Sequence, residues 1–599
     1  MTPWRASSGG LRIAALIKQI PRFESMDLTA DGRLVREGVA LEMNAYCRRA
    51  VAQGVALARE TGGRCSVYTL GPPSAEDALR EAIACGAHAA VLVTDPAFAG
   101  SDTLATARAL AAALERDGPF DLVLVGRNSV DADTGQVGPE LAELLDLPFL
   151  PGVRELARDG RTLRVRCEVD DGWVHASADM PLVLSVAERL CSPCKAPPEA
   201  RAAVAADHIR TVNAAALGPG PWGQAGSPTR VGATRALEIP RAPRRLRGSV
   251  EAQVREALAL LVERGALDGA PPATRGAVPT GGGGDPAVAV LLEPGQDPLG
   301  RELCGAAAVL ADAIGGRAVA LCAVRPDAER LGAWGIDEAI GFAGARVPED
   351  AARAAARWAE RVAPWAILAP STVWGREVAA RVAARLGAGL TGDAIELEVR
   401  DRRLIAWKPA FGGKLVAAIS AESPVQMVTV RPGVLPVLEP RHAVASVSSL
   451  ALEPRARVHV TERIREDRLE ALATAACVIG VGTGVPPQEY SKLESLKSLL
   501  GAELAATRKV TDQGWQPRAR QVGITGHAIS PRLYLAVGVS GKFNHTVGVR
   551  SAGTVLAINN DPEAPIFGAA DIGIVADWRE AIPLLEAGLR QHSAARVRR

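Results

Sequence analysis

Short apolar segments alternate with longer segments of helical apolar spacing through most of the chain. In the first part, runs typical of strands occupy residues 11–18, 65–70, 89–94 and 121–125. Helical spacing covers residues 42–61, 75–85 and 104–116. An uninterrupted apolar strand is buried on both faces, as it is in a parallel sheet covered by helices on both sides. The alternation predicts a doubly wound α/β domain.

Charge and hydropathy exclude several classes of protein. The 599 residues include 69 Lys and Arg against 67 Asp and Glu, a formal charge of +2, whereas nucleic-acid binders carry a dense basic excess. No apolar run approaches the ~18 residues that a bilayer span needs. The apolar run at residues 13–17 is too short for a secretory leader. We therefore expect a cytoplasmic protein that neither binds nucleic acid nor inserts into a membrane.

The cysteines do not suggest a disulfide framework. Nine are scattered along the chain, an odd number without an export signal. Cys191 and Cys194 have the CxxC spacing of a redox pair or of half a metal site. Because no second CxxC or clustered histidine accompanies them, the sequence favours an incidental pair, and we predict no metal site.

The α/β pattern begins again after an interruption. Residues 218–285 are rich in Gly and Pro and are typical of a flexible linker. Beyond them, strands are predicted at 287–292 and 318–324, with a helix at 299–314 between them.

The sequence contains an internal repeat. The order of apolar and polar segments in residues 120–145 recurs in residues 365–386. Each copy then ends in two strands that we expect to pair, 163–169 with 182–185 and 404–407 with 425–430. Any two βα units look alike, but the shared order favours a true repeat.

A third α/β unit follows a loop at residues 431–454. Its first predicted strand begins at Val478, and the later strands are predicted at residues 534–537, 554–558 and 572–575. The chain is thus expected to contain three doubly wound parallel-sheet α/β domains. In such sheets, ligands bind beyond the carboxyl ends of the strands.

Polar and glycine residues cluster at the strand ends of the third unit. The turn 480–484, rich in glycine, is a weak candidate for a phosphate-binding turn. After the strand at 534–537, the segment 538–545 brings amides, a hydroxyl, Lys542 and His545 to one turn, which suits a pyrophosphate or an electron-rich heterocycle. The competing interpretation is a plain strand-to-helix turn with Ser540 as the cap.

From Thr507 to Asp577, the chain closely resembles the flavin domain of the α subunit of electron-transfer flavoproteins. The resemblance rests on TRKVTDQGW, QVGITG, SPRLYLAVGVSGKFNH and AINNDPEAPIFGAADIGIVAD, in that order. Upstream, STVWGREVAARVAARLGAGLTGD, KPAFGGKLVA and MVTVRPG resemble the other domain of that subunit. The first half, with ALIKQIP, LEMNAYC, EAIACGAHAAVLV and VDADTGQ, resembles the β subunit.

The resemblance implies a fused β–α chain with four segments. They are a β-like domain at 1–217, a linker and β-subunit arm at 218–285, an α-subunit N-terminal domain at 286–440 and an FAD-binding domain at 453–599. The first and third would be homologous nucleotide-hydrolase-like units, and the last a Rossmann-like domain.

The resemblance also implies FAD, with its ring between the flavin domain and the β part. Arg508 would lie beside the ring, where a permanent cation stabilises the negative charge of the reduced flavin, and His545 would donate to its O2 side. The other implied FAD contacts are Thr507, Gln521, Val522, Gly523, Ile524, Thr525, Ser540, Gly541, Lys542, Phe543, Asn544, Asn559, Asp577 and Trp578.

In the β part, the family binds AMP or, in bifurcating members, a second FAD. The matching positions are Leu16, Asn44, Ala45, Tyr46, Cys47, Leu70, Asn128, Ser129, Val130, Asp131, Thr134, Gly135 and Gln136. The loop at 128–136 is shorter than usual in the family. AMP is therefore favoured over a second FAD, and an empty site is the third option.

Three departures from the family pattern are visible. Gly482-Thr483-Gly484 replaces the usual Gly-Arg-Gly, and Ile524 replaces the glutamine of QxGQTG. The segment from Arg189 to Lys195 replaces the loop that docks acyl-CoA dehydrogenases, so that partnership does not transfer.

The function that the resemblance implies is electron carriage. FAD would take single electrons from a flavoprotein dehydrogenase and pass them to a membrane quinone oxidoreductase, with residues 431–454 letting the flavin domain swivel. The alternatives are a bifurcating protein that oxidises NADH with two FADs, and a redox-inactive adenine-nucleotide-binding protein.

Overall fold

The computed structural model describes most of the chain. The described residues are 9–21, 40–129, 131–236, 241–267, 276–282, 284–410, 415–465, 472, 475–523, 526–527, 529–550 and 552–597. Of the predicted site residues, Val130, Ile524 and Thr525 lie outside them, and the side chains of Phe543 and Asn544 are not described.

The first unit contains eleven strands and six α-helices among its described residues. The strands are β1 Arg12–Leu16, β2 Gln19–Pro21, β3 Leu41–Met43, β4 Arg64–Leu70, β5 Ala89–Val93, β6 Leu122–Gly126, β7 Phe149–Asp159, β8 Thr162–Val169, β9 Gly172–Asp179, β10 Leu182–Val186 and β11 Ile209–Val212. The helices are α1 Ala45–Thr61, α2 Glu76–Ala84, α3 Thr103–Asp117, α4 Val137–Leu144, α5 Pro198–Ala202 and α6 Ala214–Leu217.

The interrupting segment and the second unit follow. The segment contains α7 Gly223–Gly226, β12 Thr229–Ala236, β13 Arg244–Arg245 and α8 Val250–Glu263. The second unit has strands β14 Ala287–Leu292, β15 Arg317–Cys322, β16 Glu338–Ala343, β17 Ala366–Pro370, β18 Gly389–Ala394, β19 Glu396–Arg400, β20 Arg403–Ala410, β21 Leu415–Ala421, β22 Gln426–Val430 and β23 Ser446–Ala451. Its helices are α9 Asp297–Ile314, α10 Ala328–Ala333, α11 Pro348–Val362 and α12 Val373–Leu386.

The remaining elements belong to the last part of the chain. Its strands are β24 Val458–Arg465, β25 Cys477–Val481, β26 Glu503–Ala506, β27 Leu533–Val537, β28 Thr554–Asn559 and β29 Ile572–Val575. Its helices are α13 Glu494–Leu500, α14 Arg508–Asp512, α15 Phe543–Thr546 and α16 Trp578–Val597.

The first two units share one topology, which supports the predicted repeat. In the first unit, the parallel strands run β11-β5-β4-β1-β6-β10-β7. In the second, they run β23-β16-β15-β14-β17-β22-β18, all parallel, so each position in one sheet has a counterpart in the other. The expected α/β class is confirmed, with apolar side chains buried on both faces of each sheet.

The predicted pairing of the strands that close each copy is wrong. Strand β8 pairs with β7 and β9, whereas β10 lies inside the parallel sheet between β6 and β7. In the second unit, β20 likewise pairs with β19 and β21, and β22 returns to the parallel sheet. Sequence proximity favoured a hairpin, but fully buried strands such as β10 and β22 are stabilised at the centre of a covered sheet.

The two predicted linkers are largely ordered. Strand β12 pairs with β21 of the second unit, β13 pairs with β29, and α8 packs against the last sheet. In the segment 431–454, β23 forms the edge of the second parallel sheet, and the next strand, β24, joins the first sheet at β9. The predicted swivel point at 431–454 is therefore wrong, because those residues are held by the second unit.

The last sheet is parallel and carries the residues that resemble the flavin domain. Its strands run β13-β29-β28-β27-β25-β26, with apolar residues of α8, α13 and α16 covering one face. Among the described residues, none of the helices combines the length and apolar character that a bilayer span requires.

Candidate functional site

The polar residues predicted in the third unit lie along one edge of its sheet. Thr507 follows β26, Ser540 lies beyond the end of β27, Asn559 ends β28, and Asp577 lies beyond the end of β29. Neighbouring strands are about 4.8 Å apart, so the row from β26 to β29 spans about 19 Å. A row of this length at the carboxyl edge suits an elongated ligand such as a dinucleotide.

Two loops at this edge are closely packed through their backbone atoms. In the first, His527 N–H donates to Gln521 O at 2.7 Å and Gly523 N–H donates to His527 O at 3.1 Å, which holds His527 against residues 521–523. In the second, a Cβ at Gly541 would lie 2.1 Å from Ile566 N, so this position excludes a side chain. Close backbone of this kind is what phosphate-binding loops use.

The glycine turn at 480–484 is explained by packing. A Cβ at Gly480 would lie 1.7 Å from the Tyr534 hydroxyl oxygen, and one at Gly482 would lie 2.1 Å from Gly538 O. These glycines make room for the neighbouring strand β27 and its loop. The weak phosphate-turn hypothesis for this segment therefore finds no support in the packing.

His545 is buried and hydrogen-bonded through both ring nitrogens. Nδ1 lies 3.0 Å from Val522 O, a carbonyl that only accepts, so Nδ1 carries the proton of that bond. Burial lowers the pKa of His545 to about 4, so the ring is neutral near pH 7 and Nε2 accepts from the Tyr534 hydroxyl at 2.7 Å. In this arrangement, His545 links Val522 to Tyr534 of β27.

The other predicted contacts in this domain also have partners along the edge. Asn559 Nδ2 donates to Val539 O at 2.9 Å, and Asp577 forms an ion pair with Arg579 at 3.2 Å. Trp578 Nε1 donates to Gly484 O at 3.1 Å, while the Gln521 carboxamide accepts from the Thr511 hydroxyl at 2.7 Å. Ser540 and Lys542 are exposed at this edge.

The flavin-like domain is docked on the first unit by a compact polar contact. The Tyr46 hydroxyl donates to Glu188 Oε1 at 2.7 Å, and Arg518 Nη1 donates to the same oxygen at 3.0 Å. Arg189 Nη2 donates to the carbonyls of Thr511 and Asp512, the latter at 2.7 Å. Tyr46, predicted for a second nucleotide, thus contributes to this docking contact.

Arg508 lies at the same junction and forms an ion pair with Asp512 at 3.3 Å. Burial opposes its charge, but Tyr46, Asp512 and Glu188 outweigh burial and raise its pKa. Burial likewise opposes ionisation of Glu188, yet Arg518 and Arg127 hold the pKa of Glu188 well below its usual range. The junction is therefore a fixed set of charges at neutral pH.

A cavity of about 420 Å³ opens beside this contact, at the junction of the two units and the flavin-like domain. Its charged and aromatic lining includes residues that sequence reasoning missed: Arg154, Glu168, Asp170, Trp173, Glu188, Arg376, Asp393, Arg431, Arg518 and His527. One signal could have found two of them. Glu188 and Arg431 each lie just beyond a fully buried parallel strand, the rule that singled out Asn559.

The residues predicted for a second nucleotide gather around the carboxyl ends of β1 and β6. Asn44 Nδ2 donates to Asn128 O at 2.8 Å, and Lys18 Nζ donates to Asp131 Oδ2 at 2.6 Å, with Ser129 beside it. Leu16, Cys47 and Gln136 are buried, and Leu70 and Thr134 are half-buried. Gly135 precedes α4, where backbone amides at the helix start can face an anion.

The residues present fit the flavin that the resemblance implies. The edge offers exposed rim residues, loops with close backbone and a cation at one end, Arg508, beside a cavity. The negatively charged pyrophosphate of a dinucleotide would lie on the 538–545 loop, and its ribose hydroxyls near Asp577.

Comparison with known proteins agrees with the repeat and with the last domain. The electron transfer flavoprotein domain matches twice, at residues 31–217 and 293–455. The electron transfer flavoprotein FAD-binding domain matches residues 471–550.

Characterised relatives match the two halves separately. The electron transfer flavoprotein subunit beta of Thermoanaerobacterium thermosaccharolyticum is 36% identical over 260 residues, 42% of this chain and 97% of that protein. Subunit alpha of Clostridium acetobutylicum is 37% identical over 232 residues, 37% of this chain and 69% of that protein. Protein FixB of Bradyrhizobium diazoefficiens is 37% identical over 238 residues, 38% of this chain and 64% of that protein.

The two domain matches, the repeated topology and the likeness to both kinds of subunit lead to one conclusion. This chain belongs to the electron transfer flavoprotein family and joins a β-like and an α-like part in one polypeptide.

Proposed function

We propose that the chain carries single electrons on one FAD, from a flavoprotein dehydrogenase to a quinone-linked oxidoreductase. The observation that carries this proposal is the row of polar residues at the carboxyl edge of the last sheet, which ends at Arg508 in the junction with the first unit. Bound FAD would supply the electron-accepting ring. No general acid, base or nucleophile is required of the protein.

The chain's own residues would bind and tune the cofactor. The loops around Gly523 and Gly541 would hold the pyrophosphate and the stem, and Asn559 and Asp577 the adenosine end. Arg508 would place a permanent positive charge beside the ring, which favours the reduced, negatively charged flavin. His545 would act through the 521–527 loop, because both its ring nitrogens have protein partners.

For the β-like part we propose AMP as the ligand at the start of α4. Support comes from Gly135 and Gln136 at the helix start and from Lys18 beside the loop. Asp131 already pairs with Lys18, so a phosphate would have to share or displace that cation.

Absorption spectroscopy and nucleotide analysis of the purified chain test both proposals. We expect one FAD per chain, with AMP released on acid extraction, and no bleaching by NADH. Two FADs per chain with bleaching by NADH would favour the bifurcating alternative. A colourless protein that stays colourless with added FAD would favour the redox-inactive nucleotide binder.

The role of Arg508 is tested by Arg508→Met, with Lys497→Met as the matched control. Lys497 is a surface cation of the same domain and pairs with exposed Glu494 at 3.6 Å. We expect Arg508→Met to lower the potential at which the bound flavin accepts its first electron and the control to leave it unchanged. Equal potentials in the two variants would contradict the assignment.

A further inference from the structure

Arg189 has a backbone conformation that a residue with a side chain rarely adopts. Its φ is +70°, in the left-handed region where glycine is the usual residue. Other residues persist in this region only where their surroundings hold them there, and such residues concentrate at functional sites. Arg189 is exposed, so burial of its side chain in a core does not account for the conformation. Its side-chain contacts with the flavin-like domain supply a reason.

These contacts are made with the C-terminal end of α14. Arg189 Nη2 donates to the carbonyls of Thr511 and Asp512, the latter at 2.7 Å. The last carbonyls of a helix lack partners within the helix, and a cation beside them also interacts favourably with the helix dipole. A helix of five residues is marginal by itself, so contacts of this kind from outside stabilise it.

Arg508 lies at the other end of the same short helix. Its Nε pairs with Asp512 Oδ2 at 3.3 Å, so Asp512 meets Arg508 through its carboxylate and Arg189 through its carbonyl. The helix is also tied to its own domain, because the Thr511 hydroxyl donates to Gln521 Oε1 at 2.7 Å. The place of the Arg508 cation therefore depends on a contact within the flavin-like domain and on one supplied by the first unit.

We propose that Arg189 is a positioning residue for the flavin: it holds α14 and, through Asp512, keeps the Arg508 cation beside the ring. This inference rests on the proposed function, since Arg508 can tune a flavin only if FAD binds at this edge. Arg189 itself would not touch the cofactor. Without it, α14 and Arg508 would be free to move toward water, where the interaction of the cation with the reduced flavin is screened.

The charge of Arg189 offers a second mechanism, a direct electrostatic effect on the flavin. The two mechanisms differ in how they depend on Arg508. A positioning residue acts through Arg508, so its replacement has no further effect once Arg508 is replaced. A direct effect of the Arg189 charge would add to the effect of Arg508, and a double variant separates the two.

The first experiment compares Arg189→Gly with Arg402→Gly in the full-length chain loaded with FAD. Arg402 is another exposed arginine at positive φ, +58°, in the turn between β19 and β20, so both substitutions remove an arginine and relieve backbone strain. We expect Arg189→Gly to lower the potential at which bound FAD accepts its first electron, by less than Arg508→Met does. Arg402→Gly should leave that potential unchanged, and Arg189→Gly/Arg508→Met should match Arg508→Met alone.

The second experiment uses the FAD-free chain and measures hydrogen–deuterium exchange at the end of α14. The amides of Gln513, Gly514 and Trp515 donate to helix carbonyls. Loss of the Arg189 contact should speed their exchange about fivefold, the factor that corresponds to the net contribution of one hydrogen bond. Arg402→Gly should leave the exchange unchanged, and circular dichroism checks that each variant is folded.

The outcomes distinguish this inference from the function on which it rests. An unchanged potential in Arg189→Gly, together with a lowered potential in Arg508→Met, would overturn the positioning role alone. Additive shifts in the double variant would assign the effect to the charge of Arg189. An unchanged potential in Arg508→Met would remove the proposed tuning and the role of Arg189 with it. Unchanged exchange in Arg189→Gly would show that Arg189 does not hold α14.

Discussion

The two homologous units share a strand order but differ at the carboxyl ends of their parallel strands. In the first unit, β6 is followed by a loop at 127–136 before α4, whereas in the second, residues 371–372 alone separate β17 from α12. The residues that follow the equivalent strands β10 and β22 also differ. Glu188 and Arg189 follow β10 closely and dock the flavin-like domain, while Arg431 follows β22 and turns inward to Asp393. The first unit thus uses this position to dock the flavin-like domain, whereas the second unit uses it for an internal ion pair.

The units also exchange strands reciprocally. The chain that leaves the first unit adds β12 to the β19–β21 hairpins of the second, and the chain that leaves the second adds β24 to the β7–β9 hairpins of the first. Equivalent helices α4 and α12 face each other across the boundary, where Glu143 pairs with Arg381 and Arg385 at 3.2 and 2.6 Å. Each unit completes the sheet system of the other, which makes independent folding of the halves unfavourable.

The largest expected effect comes from Arg381→Met at this boundary. Arg381 is 1% exposed and pairs with both Glu377 and Glu143, so its removal leaves carboxylates without their buried cation. The expected loss is about 3–5 kcal/mol in the free energy of unfolding, measured by urea denaturation. Adding Glu377→Met should restore part of it. A loss below that of the exposed Asp159→Asn control would contradict the assigned role.

Glu188→Gln tests the asymmetry between the units directly. Arg518 would lose its carboxylate while staying at the junction, and we expect the docking of the flavin-like domain to weaken by about 2 kcal/mol or more. Small-angle scattering should show a broader range of domain separations. The control is Glu155→Gln, which removes the exposed ion pair with Arg166. Identical scattering of Glu188→Gln and unaltered protein would break the comparison.

Burial raises the pKa of the buried carboxyls of both α4 and α12, to about 8 for Glu140 and, because Arg381 acts against burial, only to about 7 for Glu377. Glu140 in α4 accepts from the Thr103 hydroxyl at 3.0 Å, whereas Glu377 in α12 has Arg381. Burial, with Asp102, raises the pKa of Glu140 from 4.5 to about 8. Between these values the folded state keeps a proton that the unfolded state releases, so rising pH destabilises the fold by at most about 1.4 kcal/mol per unit.

Glu140→Gln should therefore lessen the fall of the free energy of unfolding between pH 4.5 and 8. Denaturation curves at four pH values measure it. Parallel profiles for the variant and the unaltered chain would show that Glu140 ionises normally.

The smallest expected effect concerns Gly135, in the loop before α4, compared with Gly62, at the C-terminal end of α1. Gly135 has φ +65° and its Cβ would lie 2.9 Å from Asn128 Oδ1, while Gly62, at φ +64°, has open space. Gly62→Ala should cost about 1 kcal/mol from backbone strain alone, and Gly135→Ala somewhat more. Thermal unfolding compares them. Equal losses would mean that the loop is not packed around Asn128.

Local elements were predicted well because their signals are local. Strand β14 occupies the predicted residues 287–292, and Asn559 and Asp577 lie at the strand ends where a polar residue after an apolar run was expected. The pairing of β8 with β9 rather than β10 was missed, since both alternatives satisfy the same apolar pattern. The Glu188–Arg518 contact joins residues 330 positions apart, and no local sequence pattern around either residue predicts its partner.

The amino-acid sequence by itself determined the α/β class, the repeat and the family, since burial patterns and motif order are properties of short segments. Which unit receives β12 and β24, and which carboxylate docks the flavin-like domain, were decided by the tertiary structure. These contacts depend on distances between segments far apart in the chain, and such distances exist only after the sheets have assembled.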